Sequence, residues 1–279
     1  MKNVSHIQIN SPQLWQSLLP KLKHDSNKYS RGYAMIYGGY PITGAASLSA
    51  HACARAGAGM TSILSPEIAF PVYASHFLSI MVRPFGSLSE IESLADDPRI
   101  SAFLIGPGAG VNPQTQHATL SLLLKNKPTV LDADALTVFE NDAETLKQAI
   151  KNTCVLTPHE GEFKRLFKLT NDRTQSVAEA AQKLNAIILL KGHQTIIASP
   201  DGKIVINQHA PATLATAGSG DVLAGIITGL LAQGMPAFEA TCAAVWMHSE
   251  AANLFGRGLI ADDIPTMLIK VIQQLSTNH

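Results

Sequence analysis

The stretch Tyr33–Ala56, YAMIYGGYPITGAASLSAHACARA, decides the fold. Tyr33–Tyr37 is an unbroken apolar run, too short for a buried helix and ended by Gly38-Gly39. Thr43–Ala56 then carries small residues at helical spacing. Strand, glycine turn and helix follow in that order, and the pattern repeats downstream. Met60–Leu64 reads as a strand, Glu67–His76 as a helix, and Ala102–Ile105 as a strand ending in Gly106-Pro107-Gly108. Pro113–Leu124 is a helix, and Thr129–Leu131 a strand ending at Asp132. Thr153–Leu156 ends in Thr157-Pro158; after a helix over Thr174–Asn185, Ala186–Leu190 ends in Lys191-Gly192. Wholly apolar strands between helical periods are what a parallel sheet covered on both faces requires. The expected fold class is α/β: a mostly parallel, doubly wound central sheet with helices on both faces.

Past Thr195 the rhythm changes. Thr195–Ala198 and Lys203–Asn207, joined by Pro200-Asp201-Gly202, predict a hairpin. Three helices follow, Ser219–Gln233, Ala237–Phe255 and Asp262–Gln274, with Gly234 and Gly256 where C-caps belong. No low-complexity linker divides the chain, so residues 1–279 are expected to form one domain, with 1–30 as an extension packing on it. Within that extension Leu14, Trp15, Leu18 and Leu19 suit a short helix.

Composition narrows the function. Lys plus Arg and Asp plus Glu each number 21, giving zero formal charge. No bulk field steers the chain to nucleic acid or to an anionic membrane, so neither is an expected partner. The apolar stretch Val222–Met235 is broken by Gly225, Thr228, Gln233 and Gly234. No segment reaches the ~18 clean apolar residues of a membrane span. Met1–Asn10 lacks the apolar core of a signal peptide. Cys53, Cys154 and Cys242 are scattered among apolar neighbours and odd in number, which suits buried thiols in a reducing, cytoplasmic setting.

The turn motifs share one property: each stands just after a strand. In an open α/β sheet, ligands bind in the crevice beyond the carboxyl ends of the strands. Five loops therefore aim at one site: Gly38-Gly39, Gly106-Pro107-Gly108, Asp132-Ala133-Asp134, Thr157-Pro158-His159 and Lys191-Gly192. To these the chain adds Ala217-Gly218-Ser219-Gly220-Asp221-Val222-Leu223-Ala224-Gly225, glycines opening a long apolar helix with an acid in its first turn. Bare amides and the helix dipole there make an anion site, and Asp221 could take a proton from a hydroxyl receiving a phosphoryl group. The same residues also suit a plain helix start, Ser219 capping and Asp221 complementing the dipole. No Gly-Lys-Ser/Thr follows, which excludes a Walker loop.

Each remaining motif has two readings. Lys191 offers a charge to a phosphate, with Gly192 allowing close approach and Thr195 a hydroxyl; or it is a solvated lysine in a turn. His159 could contact substrate, with Glu160 and Glu162 ordering a magnesium ion through waters; or the segment is a helix start. Gly106–Gly110 is either a tight turn or a contact to phosphate or ribose. Asp132 and Asp134 serve metal or substrate, or Asp134 caps the next helix. His51 and His248, within helical periods, read as satisfied packing residues.

Taken together these blocks resemble the nucleotide-dependent NAD(P)H-hydrate dehydratases of the ribokinase-like superfamily, from about Tyr29 to Ile269. Besides the motifs above, Thr43-Gly44-Ala45-Ala46, Arg55-Ala56-Gly57-Ala58-Gly59, Asp132–Leu136, Thr157–Phe163 and Lys191–Thr195 carry the likeness, seven blocks in order. The resemblance implies that water added to the nicotinamide ring of NADH or NADPH is removed again, with ADP giving AMP and phosphate in bacterial members. It implies Asp221 as the base, the amides of Gly218, Ser219 and Gly220 around the phosphoryl group, and Lys191, Gly192, His193, Gln194 and Thr195, with Gly220, on the nucleotide. Ala45, Gly108, His159 and Asp221 would hold the hydrate, and Glu162 would organise Mg2+. A homo-oligomer, a tetramer, is implied too, for which the Ala-rich helix Thr43–Ala56 is a candidate contact, although packing on its own sheet is the plainer and favoured use. Two departures stand out. A chain of this length leaves no room for the epimerase domain of some members, and Asn207-Gln208-His209-Ala210-Pro211 replaces a more Gly/Thr-rich segment. The competing expectations are a kinase of the same fold acting on a vitamin precursor or sugar hydroxyl, and a non-catalytic nucleotide sensor. The sensor has no need of Asp221.

Overall fold

The structure is a computed structural model and describes residues 7–277. Ten strands form one sheet: β1 (Ile7–Ile9), β2 (Tyr33–Tyr37), β3 (Met60–Pro66), β4 (Met81–Phe85), β5 (Ala102–Ile105), β6 (Thr129–Leu131), β7 (Cys154–Leu156), β8 (Ile187–Leu190), β9 (Thr195–Ala198) and β10 (Ile204–Asn207). The helices are α1 (Gly44–Arg55), α2 (Phe70–His76), α3 (Leu88–Ala95), α4 (Pro113–Leu123), α5 (Asp134–Thr137), α6 (Ala143–Ala149), α7 (Glu160–Leu166), α8 (Arg173–Leu184), α9 (Ser219–Ala232), α10 (Ala237–Phe255) and α11 (Asp263–Thr277).

The strand order is β1-β10-β9-β8-β7-β6-β5-β2-β3-β4. From β2 the chain steps outward through β3 to β4; it then returns to β5 on the other side of β2 and steps outward again to β8. The order reverses between β2 and β5, so a crevice opens beyond their carboxyl ends. Strands β4-β3-β2-β5-β6-β7-β8 are parallel neighbours, and β9 runs antiparallel to β8 and β10. The expected mostly parallel, two-sided α/β sheet is what the chain forms.

Strand alternation divides the core. Tyr33, Met35 and Tyr37 of β2 enter one cluster, Ala34 and Ile36 the other. The first face is covered by α3 to α8, the second chiefly by α1, α9, α10 and α11. Helix α9 is apolar all round and almost wholly buried, because α1, α10 and the sheet enclose it. Its glycines permit the approach: a Cβ at Gly225 would overlap the backbone of Ser49 in α1. The expectation placed α1 on its own sheet; it packs there on β2 and β3, but chiefly on α9. All three cysteines are buried and free.

Several elements depart from expectation. Residues 12–19 form two 3-10 turns, Pro12–Leu14 and Gln16–Leu18, rather than one helix. Only Trp15 among the four apolar residues is fully enclosed, at 0% exposure, and its Nε1 donates to Asn10 Oδ1 (3.1 Å). Asn10 Nδ2 in turn donates to Asn207 Oδ1 (3.0 Å) and to the Cys242 carbonyl (2.8 Å), which ties the segment to β10 and α10. Strands β1 and β4 and helices α3 and α6 were not expected. Asp262 lies just before α11, and the helix runs on past Gln274 to Thr277.

Candidate active site

The five strand-end motifs follow β2, β5, β6, β7 and β8, which are adjacent and parallel in the sheet. Their loops accordingly emerge along one edge. At the reversal point the backbones nearly touch: a Cβ at Gly39 would overlap the Gly108 carbonyl, and one at Gly108 would come within 3.3 Å of Ala45 Cβ. Gly108 has φ +66°, which only glycine adopts freely. The structure thus brings Ala45 and Gly108 side by side. Asp134 Oδ2 accepts the Gly110 amide (2.8 Å), pinning the Gly106–Gly110 turn to the next loop.

Beyond β6 and β8 lies the charged centre. Asp132, 1% exposed, accepts a hydrogen bond from Lys191 Nζ at 2.8 Å. Glu162 Oε2 lies 4.0 Å from the same nitrogen. Lys191 is therefore no solvated turn lysine. Burial pulls its pKa down, but Asp132, Glu162 and Asp221 outweigh that and hold it above the ordinary value. A Cβ on Gly220 would sit 3.3 Å from Lys191 Nζ, so the bare glycine lets the ammonium lie against the start of α9.

That start is unusual. The N-cap is Gly218, with φ +86° and no side-chain cap bond, so Ser219 is not the cap that the plain reading assigned. Ser219 is instead the first helical residue, and its Oγ lies 3.2 Å from His248 Nε2. First-turn amides have no acceptor within a helix and carry its positive end. The Ser219 amide meets the Thr216 carbonyl only at 3.4 Å, and with Lys191 beside the turn these amides could hold an anion. Asp221, in the same turn, has its pKa raised to about 7, first by burial and then by Asp132, with Lys191 opposing. A carboxyl poised near neutrality beside an anion site can take a proton at working pH.

Past β7, His159 is the N-cap of α7 and half of a capping box. Its Nδ1 accepts the amides of Gly161 (2.9 Å) and Glu162 (3.3 Å), while Glu162 Oε2 accepts the His159 amide (2.8 Å). The helix-start reading therefore holds, and it leaves the imidazole 55% exposed at the crevice. The His159 backbone bridges that of Lys191, and the Lys191 amide donates to the Pro158 carbonyl (2.8 Å). Gly192, His193 and Gln194 are exposed, and Thr195 Oγ1 donates back to the Gly192 carbonyl (3.3 Å). His193 and Gln194, with Asn171, Arg173 and Ile206, line a cleft of about 690 Å3 beside this loop.

Among the described residues no group of three or more His, Cys, Asp or Glu is arranged to hold a metal ion. The carboxylates of Asp132, Glu162 and Asp221 surround an ammonium instead. Such a set fits a magnesium ion that keeps its waters and rides on phosphates, not a protein cage. Three residues at the site escaped the sequence reading of function: Ser49, Arg173 and His248. Ser49 and His248 sit at helical spacing with no mark of chemistry. Arg173 opens α8, and its Nη1 pairs with Glu160 Oε1 (2.7 Å).

The sequence model of one family, described as NAD(P)H-hydrate dehydratase, matches residues 34–274. The chain belongs to that family. It is 40% identical over 261 residues to the ADP-dependent (S)-NAD(P)H-hydrate dehydratase of Neisseria meningitidis serogroup B, covering 86% of this chain and 84% of that one. Among solved structures it is similar to the ADP/ATP-dependent NAD(P)H-hydrate dehydratase from Bacillus subtilis co-crystallised with ATP/Mg2+, with a TM-score of 0.84, 27% identity and coverage of 97% and 99%. A ribokinase-like superfamily protein from Enterococcus faecalis V583 matches with a TM-score of 0.85 at 25% identity, each chain covered to 96%. The chain also matches bifunctional NAD(P)H-hydrate repair enzymes, of which it spans about half the length. It is thus a ribokinase-like enzyme of NAD(P)H-hydrate repair. No helix among the described residues is long and apolar enough to cross a membrane.

Proposed function

We propose that the chain catalyses the ADP-dependent dehydration of (S)-NAD(P)H hydrate, giving NAD(P)H, AMP and phosphate. Hydroxide is a poor leaving group, so the hydrate hydroxyl is first phosphorylated. Asp221 takes the hydroxyl proton as the oxygen attacks the β-phosphorus of ADP, and the bond to the AMP oxygen breaks. The amides of Gly218, Ser219 and Gly220, with Lys191, offset the charge on the transferring phosphoryl group. The ring-nitrogen lone pair then expels phosphate, and loss of a proton from the neighbouring ring carbon restores the double bond.

Ala45, Gly108 and His159 hold the hydrate at the reversal point of the sheet, while Lys191–Thr195 and the adjoining cleft hold the nucleotide. Glu162 would help to hold magnesium through its waters, and the ion would supply charge neutralisation of the phosphates. The observation that carries this reading is Asp221 itself: a carboxyl held near neutrality in the first turn of α9, beside Lys191. We read the chain as one domain, on the ground of its single sheet, and as a cytoplasmic homo-oligomer.

The test is recovery of reduced-nicotinamide absorbance from purified hydrate with ADP, ATP or no nucleotide, each with magnesium. Recovery with ADP and release of AMP is the expected result. Recovery with ATP alone would overturn the donor and keep the dehydration. No recovery with either would overturn the reading and turn the search to phosphorylation of other small hydroxylated molecules.

A further inference from the structure

The first turn of α9 carries the anion-binding amides, yet no side chain of its own caps it; locally it has only the backbone bonds from Ser219 to the Thr216 carbonyl (3.4 Å) and from Val222 to the Gly218 carbonyl (3.1 Å). Gly218 is left-handed with no side-chain cap, and Gly220 has no side chain to pack. A Gly-Ser-Gly turn is intrinsically loose, since glycine loses the most conformational freedom on ordering. A turn meant to present rigid dipoles needs restraint from elsewhere.

That restraint comes from the neighbouring helices. His248, in the middle of the 19-residue α10, is buried, and its Nε2 lies 3.0 Å from the Ser219 carbonyl oxygen and 3.2 Å from Ser219 Oγ. A carbonyl can only accept, so Nε2 carries the proton and the tautomer is fixed. The imidazole is neutral there, its pKa pushed by burial down to about 4. On the other side of Gly220, the Ser49 hydroxyl of α1 donates to the Asp221 carbonyl (2.8 Å) and shares its proton with the Ala45 carbonyl (3.0 Å).

We propose that His248 is a positioning residue: through the Ser219 carbonyl and hydroxyl it clamps the first turn of α9 so that its amides face the phosphoryl group. What the turn binds rests on the function proposed above; that His248 holds it does not. The proton of His248 goes to the residue between the two glycines.

The test compares His248→Gln, whose Nε2 can reach the Ser219 carbonyl, with His248→Asn, which is one methylene short and equally polar. Amide hydrogen exchange is followed over residues 216–222 in the full chain. We expect exchange there to quicken by ~10-fold in His248→Asn and to stay within ~3-fold of wild type in His248→Gln, with the body of α9 unchanged. Hydrate turnover should fall ~10- to 10²-fold in His248→Asn with KM for ADP held within ~3-fold, and His248→Gln should restore it. Unchanged exchange over 216–222 in His248→Asn would overturn the proposal, as would identical behaviour of the two variants. If wild type fails to act on the hydrate, the functional reading falls, and the exchange comparison still decides the clamp.

Discussion

Replacing Asp221 by Asn keeps the side chain's shape and removes its ability to take a proton. In wild type its pKa is about 7. At pH 6 about a tenth of the free enzyme then carries the carboxylate and at pH 8 about nine-tenths, so kcat/KM should rise roughly tenfold across that interval and level off above it. Asp221→Asn should lower turnover ~10²- to 10⁴-fold and flatten the profile, with ADP binding retained. Stability should move the other way. A carboxyl whose folded pKa lies above its unfolded one favours the native state at low pH, and that advantage is lost as pH rises. The rise from 3.8 to about 7 corresponds to roughly 4 kcal/mol, lost between those pH values. Water at the partly exposed carboxylate lowers this to about 2–4 kcal/mol. Asp221→Asn should therefore be the more stable protein at pH 8, melting ~3–7 °C higher, with the gain vanishing toward pH 3.8. Hydrate recovery across pH 6 to 9 and thermal melts at several pH values test both halves. A flat wild-type profile, or a variant that turns over within threefold of wild type, would refute the assignment of Asp221 as base. A variant less stable at pH 8 would refute the electrostatic reasoning.

Lys191→Met leaves the Asp132 charge enclosed at 1% exposure without its ammonium, so chemical denaturation should report a loss of about 3–5 kcal/mol. Adding Asp132→Asn should recover part of that stability while ADP affinity stays weak. Gly39→Ala drives a methyl into the Gly108 carbonyl; the loops must part, and KM for the hydrate should rise at least ~10-fold with KM for ADP little changed. Trp15→Ala opens a cavity where the N-terminal segment packs on β10 and α10, costing about 3–5 kcal/mol by denaturant titration while kcat stays within twofold.

The parts of the fold legible in sequence are those whose signal is local. β2, β5 and β8 are runs with no polar residue, bounded by glycine, and nothing else in the chain competes with that reading. β4 was missed because Met81–Phe85 contains Arg83 and Pro84, which a buried strand excludes and an edge strand tolerates. β1 was missed because its three residues are all exposed and pair with β10, far along the chain. The site divides likewise. That five strand ends converge follows from parallelism alone, so Gly39, Gly108, His159 and Lys191 could be named in advance. That Lys191 rests on Asp132, a separation of 59 residues, depends on strand register and loop path, which no local spacing encodes. Ser219 was offered as a cap because serine before a helix usually is one. Gly218 took that position, and the serine hydroxyl turned to a histidine on another helix.

The fit of α1 against α9 sets an order on synthesis. The face of α1 around Ser49 and Cys53 finds its cover in a helix that begins only at Ser219. Until the ribosome has delivered α9, every earlier strand and helix can be in place and that stripe still faces water. The nascent chain therefore carries this face uncovered through most of translation, and the same late event that closes the core also delivers Asp221. A chain stalled before Ser219 would be both inactive and prone to aggregate.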